Sequence, residues 1–346
     1  MKIIQEKANI GLVLYTHEKL YNEYLSNEDE KVTFGGIKYW RALRQTLQSE
    51  YEFESFNINK SLEKLRMKDY YFFKWKYNKP FFLSKKLWII DERSIASIIL
   101  NELPIRFIVL VHDYSHESLM GWRRKTIFKK NIAKINSMTK VITVSNFWKE
   151  YLFSKGFTDI GIIHNYFNLE DYEITKEEID NFKSKYGFLE KPIVYIGNCQ
   201  EKKGVKESYE ALKDMNVELV TSGYRTVEIP CMNLNLSSHE YRVLLAAADV
   251  VVTMSKFEEG WCRTTHEAML CKTPVVGSGL GGMKELLEGG KQLIASDFTH
   301  LKESVAYLLK HPEYGETGYH YASRNEFSIA YFQDAWRKVV NETIFK

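Results

Sequence analysis

Short runs of β-branched and aromatic residues alternate along this chain with segments of helical periodicity. The runs in the first half are Ile3–Tyr15, Leu87–Ile90, Phe107–Val111 and Val141–Val144, and those in the second half are Ile193–Ile196, Val217–Thr221, Val250–Thr253 and Thr273–Val276. The helical segments between them include Gly36–Gln48, Val205–Lys213 and His239–Ala248. Strands separated by helices are typical of parallel sheets, so the pattern predicts an α/β fold.

The length of 346 residues exceeds what one ordinary core needs and predicts two domains. A segment with little apolar content lies between Asn165 and Pro192 and marks the boundary. We therefore expect a first domain over residues 1–170 and a second over 188–327, followed by a helix at 328–346.

No apolar run reaches the roughly 20 residues that span a bilayer. The first 15 residues include Gln5, Glu6 and Lys7 and lack a small-residue cleavage site, so we interpret them as a strand rather than a signal peptide. The four cysteines form no CxxC pair, which argues against a zinc site. These features favour a cytoplasmic protein with reduced thiols.

The charge is distributed unevenly along the chain. Residues 1–165 hold 27 Lys and Arg against 18 Asp and Glu, whereas the whole chain has a net charge of only +3. The basic half suits an anionic acceptor or the inner face of a membrane, and Lys68–Lys86 and Arg123–Lys130 are its candidate surface. Core packing explains the aromatic residues of Lys68–Lys86 equally well. No recognition motif supports a nucleic-acid partner.

The segment Ser255–Leu287 contains two consecutive turns from a strand into a helix, the second rich in glycine. Free N–H groups and the positive helix end at such turns suit a diphosphate. Glu259 and Glu267 flank the first turn, where their carboxylates would accept hydrogen bonds from sugar hydroxyls.

This segment resembles the donor-site signature of GT-B-fold retaining glycosyltransferases of family 4, within glycosyl transferases group 1. Glu259 and Glu267 have the spacing of the family's Glu-x7-Glu motif, and a Pro-Val-Val string with a Gly-Gly pair follows at Pro274–Glu285. The resemblance implies two Rossmann-like domains facing across a cleft, with the C-terminal helix packing back on the first. It also implies a nucleotide-sugar donor, retention, no cofactor and no metal ion.

Other segments of the chain also resemble motifs of the family and occur in the same order along the sequence. The resemblance implies that Lys203 binds phosphate, Glu267 binds ribose and Glu259 contacts the donor sugar. The catalytic set that it implies is His112, Lys203 and Glu259, and the donor-binding set is Gly35, Gly36, Asn198, Lys203, Gly223, Arg263, Thr264, Thr265, Glu267, Gly281 and Gly282.

Three departures stand out. Asn198 replaces the family's phosphate-binding arginine, Cys262 replaces a glycine-like residue of the acidic motif, and Tyr166 replaces a glycine after the linker asparagine. We hypothesise that Arg263, in place of an apolar residue, supplies the missing cation. The alternative is that Arg263 pairs with Glu258 or Glu259 on the surface.

Each site residue also has a structural interpretation. Thr264-x-x-Glu267 has the spacing of a capping box. Lys203 fits a solvated Lys-Lys run, Gly35–Gly36 an ordinary loop, and His112 a structural histidine at a strand end.

The function that the sequence favours is sugar transfer from a nucleoside-diphosphate sugar to a hydroxyl of a carbohydrate, glycan, lipid or protein-linked acceptor. An impaired nucleotide-sugar-binding protein with a regulatory or scaffold role is the alternative, which Asn198 supports. A GT-B epimerase or phosphorylase is a further rival, although no cofactor lysine is evident.

Overall fold

The computed structural model describes residues 8–14, 18–26, 35–57, 82–91, 106–113, 136 and 139–345. These residues form two compact units. The first extends to Ile163 and takes in the residues from Phe332 onward, and the second runs from His164 to Tyr331.

The described part of the first unit is built on one parallel sheet. Its strands are β1 (Asn9–Leu14), β2 (Glu52–Asn57), β3 (Leu87–Asp91), β4 (Arg106–Val111), β5 (Thr139–Thr143) and β6 (Ile160–Ile162), and its helices include α1 (Glu18–Leu25), α2 (Gly35–Gln48) and α3 (Asn146–Ser154). The strand order is β2-β1-β3-β4-β5-β6. Every residue of β3 is buried, as expected for a central parallel strand that is covered on both faces.

The second unit repeats this architecture. Its elements in chain order are α4 (Lys176–Tyr186), β7 (Ile193–Asn198), α5 (Val205–Leu212), β8 (Glu218–Ser222), β9 (Met232–Leu234), α6 (Ser238–Ala247), β10 (Val250–Thr253), α7 (Arg263–Leu270), β11 (Val275–Gly277), α8 (Met283–Gly289), β12 (Leu293–Ile294), α9 (Leu301–Leu308) and α10 (Tyr314–Ala322). The strand order is β12-β11-β10-β7-β8-β9, and all pairs are parallel.

A last helix, α11 (Ile329–Phe345), belongs to the first unit from Phe332 onward. Within that unit Trp336 Nε1 donates a hydrogen bond to Tyr39 Oη at 3.2 Å, and Phe332 packs edge-on against the same ring. Tyr39 Oη in turn donates to the carbonyl of Ile163 at 3.0 Å. The C-terminal residues are thereby fixed to α2.

The predicted runs overlap the central strands, and their ends lie within two residues of the observed ends except at the start of β1. The prediction missed β2, β6, β9 and β12, which are the four edge strands of the two sheets among the described residues. An edge strand has one hydrogen-bonded neighbour and is only partly covered. Its residues therefore need less apolar character, as the exposed Glu52 and Glu54 of β2 illustrate.

The strand order creates a switch point in the second unit. The chain starts at the central β7, extends the sheet on one side through β8 and β9, and then returns to place β10 on the other side of β7. Helices and loops leave β7 and β10 in opposite directions. Ligands of open α/β sheets bind outside the carboxyl ends of such a strand pair.

Candidate active site

Lys203 lies just beyond the carboxyl end of β7, in a short 3-10 turn over Glu201–Lys203. Its Nζ approaches Glu259 Oε1 at 2.5 Å and the Phe257 ring at 5.0 Å. The turn ends at Gly204 with φ +69, where a Cβ would lie 2.2 Å from the carbonyl oxygen of Met254. The glycine thus allows the loop after β7 to touch the loop after β10, and this contact brings Lys203 to Glu259.

Glu259 follows β10 and is 8% exposed. Its Oε1 accepts a hydrogen bond from Ser255 Oγ as well as from Lys203. Its backbone forms a bridge to the glycine-rich turn, with its N–H donating to Leu280 O at 3.3 Å and its carbonyl accepting from Gly282 N–H at 2.8 Å. The two strand-to-helix turns of Ser255–Leu287 are therefore hydrogen-bonded to each other at this residue.

Gly281 makes that bridge sterically feasible. It has φ +68, and a Cβ there would lie 2.4 Å from the Glu259 carbonyl oxygen and 2.7 Å from the Glu259 nitrogen. Only glycine fits this backbone conformation and this close approach without strain. Gly282 follows as the residue before α8.

Glu267 lies on α7 and is 6% exposed. Its Oε1 accepts from Arg263 Nη2 at 3.2 Å and from Tyr172 Oη at 3.3 Å. The capping-box interpretation is wrong, because α7 begins at Arg263 with Cys262 as its N-cap and no side chain caps it. Thr264 is therefore inside the first turn, and the first N–H groups of α7 have no side-chain acceptor.

Arg263 pairs within α7 rather than with the acidic residues that precede the helix. Its carboxylate partner is Glu267, so the alternative of a surface pair with Glu258 or Glu259 is wrong. The guanidinium also lies 4.3 Å from the Phe167 ring centre and donates to Tyr166 O at 3.4 Å. The role of Arg263 as a second cation for a diphosphate stays a prediction.

Asn198 and Gly223 lie side by side at the ends of β7 and β8. Asn198 Oδ1 is 2.4 Å from where a Cβ on Gly223 would stand, and Gly223 has φ +76. The structure therefore places an uncharged amide, rather than a cation, at the carboxyl end of β7.

Thr264 and Thr265 have protein partners. Thr264 Oγ1 accepts from Tyr241 Oη at 3.1 Å, and Thr265 Oγ1 lies 3.0 Å from Thr253 Oγ1 in a fully buried position. The Thr265 hydroxyl joins α7 to β10, so any part that Thr265 takes in donor binding would involve its backbone.

Residues 190–311 match the family model described as Glycosyl transferases group 1. The match covers most of the second unit, which we call the group 1 domain from here on, and it confirms the resemblance found in the sequence.

Curated relatives include proteins of different lengths. A trehalose synthase from Pyrococcus horikoshii is 36% identical over 81 residues, which are 23% of this chain and 19% of that protein. An uncharacterised glycosyltransferase of Methanocaldococcus jannaschii is 25% identical over 343 residues, covering 94% of this chain and 87% of that protein. The first match thus spans less than a fifth of its relative, and the second spans most of it.

Solved structures show the same fold over nearly the whole chain. A sucrose-phosphate synthase from Thermosynechococcus elongatus has a TM-score of 0.71 at 16% identity, covering 96% of this chain and 98% of that one. HepE from Anabaena in complex with UDP-glucose has a TM-score of 0.69 at 16% identity, covering 96% and 99%. The fold is GT-B, with two Rossmann-like units, as predicted.

The sequence analysis did not identify two residues of the group 1 domain that lie at or beside Glu267. Tyr172 comes from the 3-10 turn Leu169–Tyr172, far from Glu267 in sequence, and no local signal indicates the contact. His266 precedes Glu267 and is fully buried, stacked on Phe167 with ring centres 3.9 Å apart. Its position inside the acidic motif was the one available signal.

The hydrogen bonds of His266 define its tautomer. The Trp261 indole only donates, so Nδ1 accepts from Trp261 Nε1 at 3.2 Å, and Nε2–H donates to Ala322 O at 3.0 Å. Burial, with a smaller effect from Arg263, lowers the pKa of His266 to about 3. The neutral ring joins the loop after Glu259 to α10.

We therefore expect acid to destabilise the group 1 domain. The unfolded chain binds a proton at His266 near pH 6.5, whereas the folded chain binds it only near pH 3. The contribution of the neutral ring to the free energy of unfolding is therefore fully present above pH 6.5, and it decreases by roughly 1.4 kcal/mol for each pH unit below that value. Thermal melts of His266→Phe should show a shallower dependence between pH 6.5 and 4. The exposed control His320→Gln should keep the wild-type slope. Parallel slopes for all three proteins would contradict this.

The first unit brings Gly36 and His112 together. His112 follows β4, and a Cβ on Gly36 would lie 4.0 Å from His112 Cδ2. Among the described residues, the buried His112 Nε2 has no hydrogen-bond partner. Burial lowers the pKa of His112 to about 4, against an opposing effect of Asp113. Gly35 is the first residue of α2, so the glycine pair lies inside the helix and not before it.

Part of the predicted interaction surface is outside the described residues. Arg123–Lys130 and residues 68–81 of the basic-aromatic stretch lie there, and so do residues 1–7 of the predicted first strand. Across the described ranges, no helix has the length and apolar character to cross a membrane. No group of three His, Cys, Asp or Glu side chains suited to a metal ion occurs within these same ranges.

Proposed function

We propose that this protein transfers a sugar from a nucleoside-diphosphate sugar to an acceptor hydroxyl, with retention of configuration and without a metal ion. The observation that carries the proposal is the Lys203–Glu259 pair at the switch point of a group 1 domain, 2.5 Å apart, with Glu267 on the following helix. A protein of the same fold, HepE, was solved in complex with UDP-glucose, which supports a nucleotide-sugar donor here.

In the proposed reaction, the bond from the anomeric carbon to the diphosphate oxygen breaks, and the acceptor oxygen forms a bond to that carbon on the same face. The acceptor proton leaves with the diphosphate. Negative charge grows on the leaving group, and Lys203 with the uncapped N–H groups of α7 would stabilise it. A resident ammonium at this position supports catalysis without a metal ion.

The carboxylates have different tasks in this proposal. Glu259, held by Ser255 and Lys203, would accept hydrogen bonds from hydroxyls of the donor sugar. Glu267 would accept those of the ribose. We include His112 of the first unit among the catalytic residues. Its buried Nε2 has no hydrogen-bond partner among the described residues and could therefore bond to a ligand.

A regulatory nucleotide-sugar-binding protein is the second candidate. It is favoured by Asn198, which is uncharged where the resemblance implies arginine, and by the engagement of Lys203 with Glu259. Both features reduce the positive charge available to a departing diphosphate.

One assay separates the candidates. The protein is incubated with UDP-, GDP-, ADP- or dTDP-glucose, with and without EDTA, together with soluble saccharides or vesicles of anionic lipid as acceptors. We expect nucleotide release matched by product, an unchanged anomeric configuration by NMR, and no effect of EDTA. Calorimetric binding without release would favour the regulatory candidate, and absence of any binding would contradict both. An inverted product or EDTA inhibition would refute retention or metal independence, respectively.

A further inference from the structure

The guanidinium of Arg263 has three contacts within the protein. It donates to Glu267 Oε1 at 3.2 Å and to Tyr166 O at 3.4 Å, and it stacks on the Phe167 ring at 4.3 Å. Its side chain is only 16% exposed. Because Glu267 is the only carboxylate that pairs with this guanidinium among the described residues, Arg263 is placed to orient the Glu267 side chain.

Tyr172 acts on the same carboxylate oxygen. Its hydroxyl donates to Glu267 Oε1 at 3.3 Å, from a segment outside α7. Burial, followed by the charge of Glu267, raises the pKa of Tyr172 well above its ordinary value, so the phenol remains a donor at any physiological pH.

The two donors leave the other carboxylate oxygen for a ligand. A carboxylate oxygen has two lone pairs, and Arg263 and Tyr172 use both at Oε1. Within the ranges that the structure describes, Oε2 accepts no hydrogen bond and is not sealed from solvent. The carboxylate is therefore oriented, with one oxygen occupied and one available.

We propose that Arg263 and Tyr172 are positioning residues that hold Glu267 Oε1 so that Oε2 accepts a ribose hydroxyl, which makes the nucleotide site selective for ribose over 2′-deoxyribose. The inference rests on the proposed function, because it assumes that Glu267 meets the ribose. A site built to accept from a hydroxyl binds the analogue that lacks it less tightly, since the oriented, charged acceptor then loses that hydrogen bond. Arg263 thus acts on ligand choice through Glu267 rather than on the diphosphate.

Calorimetry with UDP and 2′-deoxy-UDP tests this, with the ADP and GDP pairs in parallel. The wild-type protein should bind its best ribonucleotide about 10- to 100-fold more tightly than the 2′-deoxy counterpart. Arg263→Met should reduce that ratio to about 3-fold or less by weakening the ribonucleotide alone, because the freed carboxylate is no longer oriented. Tyr172→Phe should reduce it partially, and Arg263→Lys should retain more of it than Arg263→Met.

Arg242→Met is the matched control, because Arg242 lies 5.9 Å from the Tyr172 ring and makes no bond to Glu267. It should leave the ratio unchanged. Equal weakening of both nucleotides in Arg263→Met would overturn the inference in favour of a phosphate contact. A lowered melting temperature with an intact ratio would overturn it in favour of a purely structural role. Absence of a nucleotide site would look different, since the wild-type protein would then bind none of the nucleotides, and failure of sugar transfer alone would appear as binding without nucleotide release.

Discussion

Replacing Lys203 with methionine is expected to lower kcat/KM for the sugar donor by about 100- to 1000-fold. Methionine is unbranched and keeps most of the apolar stem beside Phe257, but it removes the cation at the switch point. The departing diphosphate then loses its resident positive charge. The measurement is nucleotide release at subsaturating donor, together with a denaturant titration that reports how much stability the variant loses.

The adjacent Lys202 is the matched control. It lies over the same Phe257 ring at 5.3 Å but is exposed and makes no ion pair with Glu259. Lys202→Met should therefore retain turnover within about 2-fold, since exposed charges are strongly screened. Similar losses of turnover in both variants would show that the total charge of this loop matters, and that Lys203 does not specifically stabilise the leaving diphosphate. Restoration of turnover in Lys203→Met with Glu259→Gln would show that Lys203 only neutralises Glu259.

Gly281→Ala is expected to destabilise the group 1 domain by about 2–4 kcal/mol and to abolish most donor turnover. An L-residue at φ +68 is strained, and the new Cβ would meet the Glu259 backbone at 2.4 Å. The bridge from Glu259 to the glycine-rich turn must then open, which displaces the carboxylate. Urea unfolding of the variant gives the stability change, and nucleotide release gives the activity.

Gly187→Ala separates strain from collision. Gly187 ends α4 with φ +75, close to the value at Gly281, but a Cβ there would meet nothing within 4 Å. This control should lose about 1–2 kcal/mol and retain activity. If both variants were equally stable, the close approach of Gly281 to Glu259 would have no energetic weight.

The central architecture of both units could be predicted from sequence because buried parallel strands need continuous apolar residues, and the helices between them have their own period. The four edge strands could not, since they are half-covered and carry charges such as Glu52 and Glu54. Their pairing partners, rather than their own composition, make them strands.

The proximity of Lys203 and Glu259 could also be predicted from the sequence. Lys203 follows β7 and Glu259 follows β10, and the carboxyl ends of parallel strands share one edge of the sheet. The glycines that bring the two loops into contact are part of the same motifs. What the sequence did not show is that the two side chains form an ion pair with each other.

The enclosure of the Arg263–Glu267 pair was decided by tertiary structure. The sequence determined that Arg263 and Glu267 lie near the start of one helix, with the spacing of a family motif, because helical periodicity is a local property. It did not determine that Tyr166, Phe167 and Tyr172, more than 90 residues earlier, enclose the pair. Burial of a charge depends on which distant segment covers it. A buried guanidinium pairs with the nearest carboxylate because the free energy of leaving it unpaired is so unfavourable.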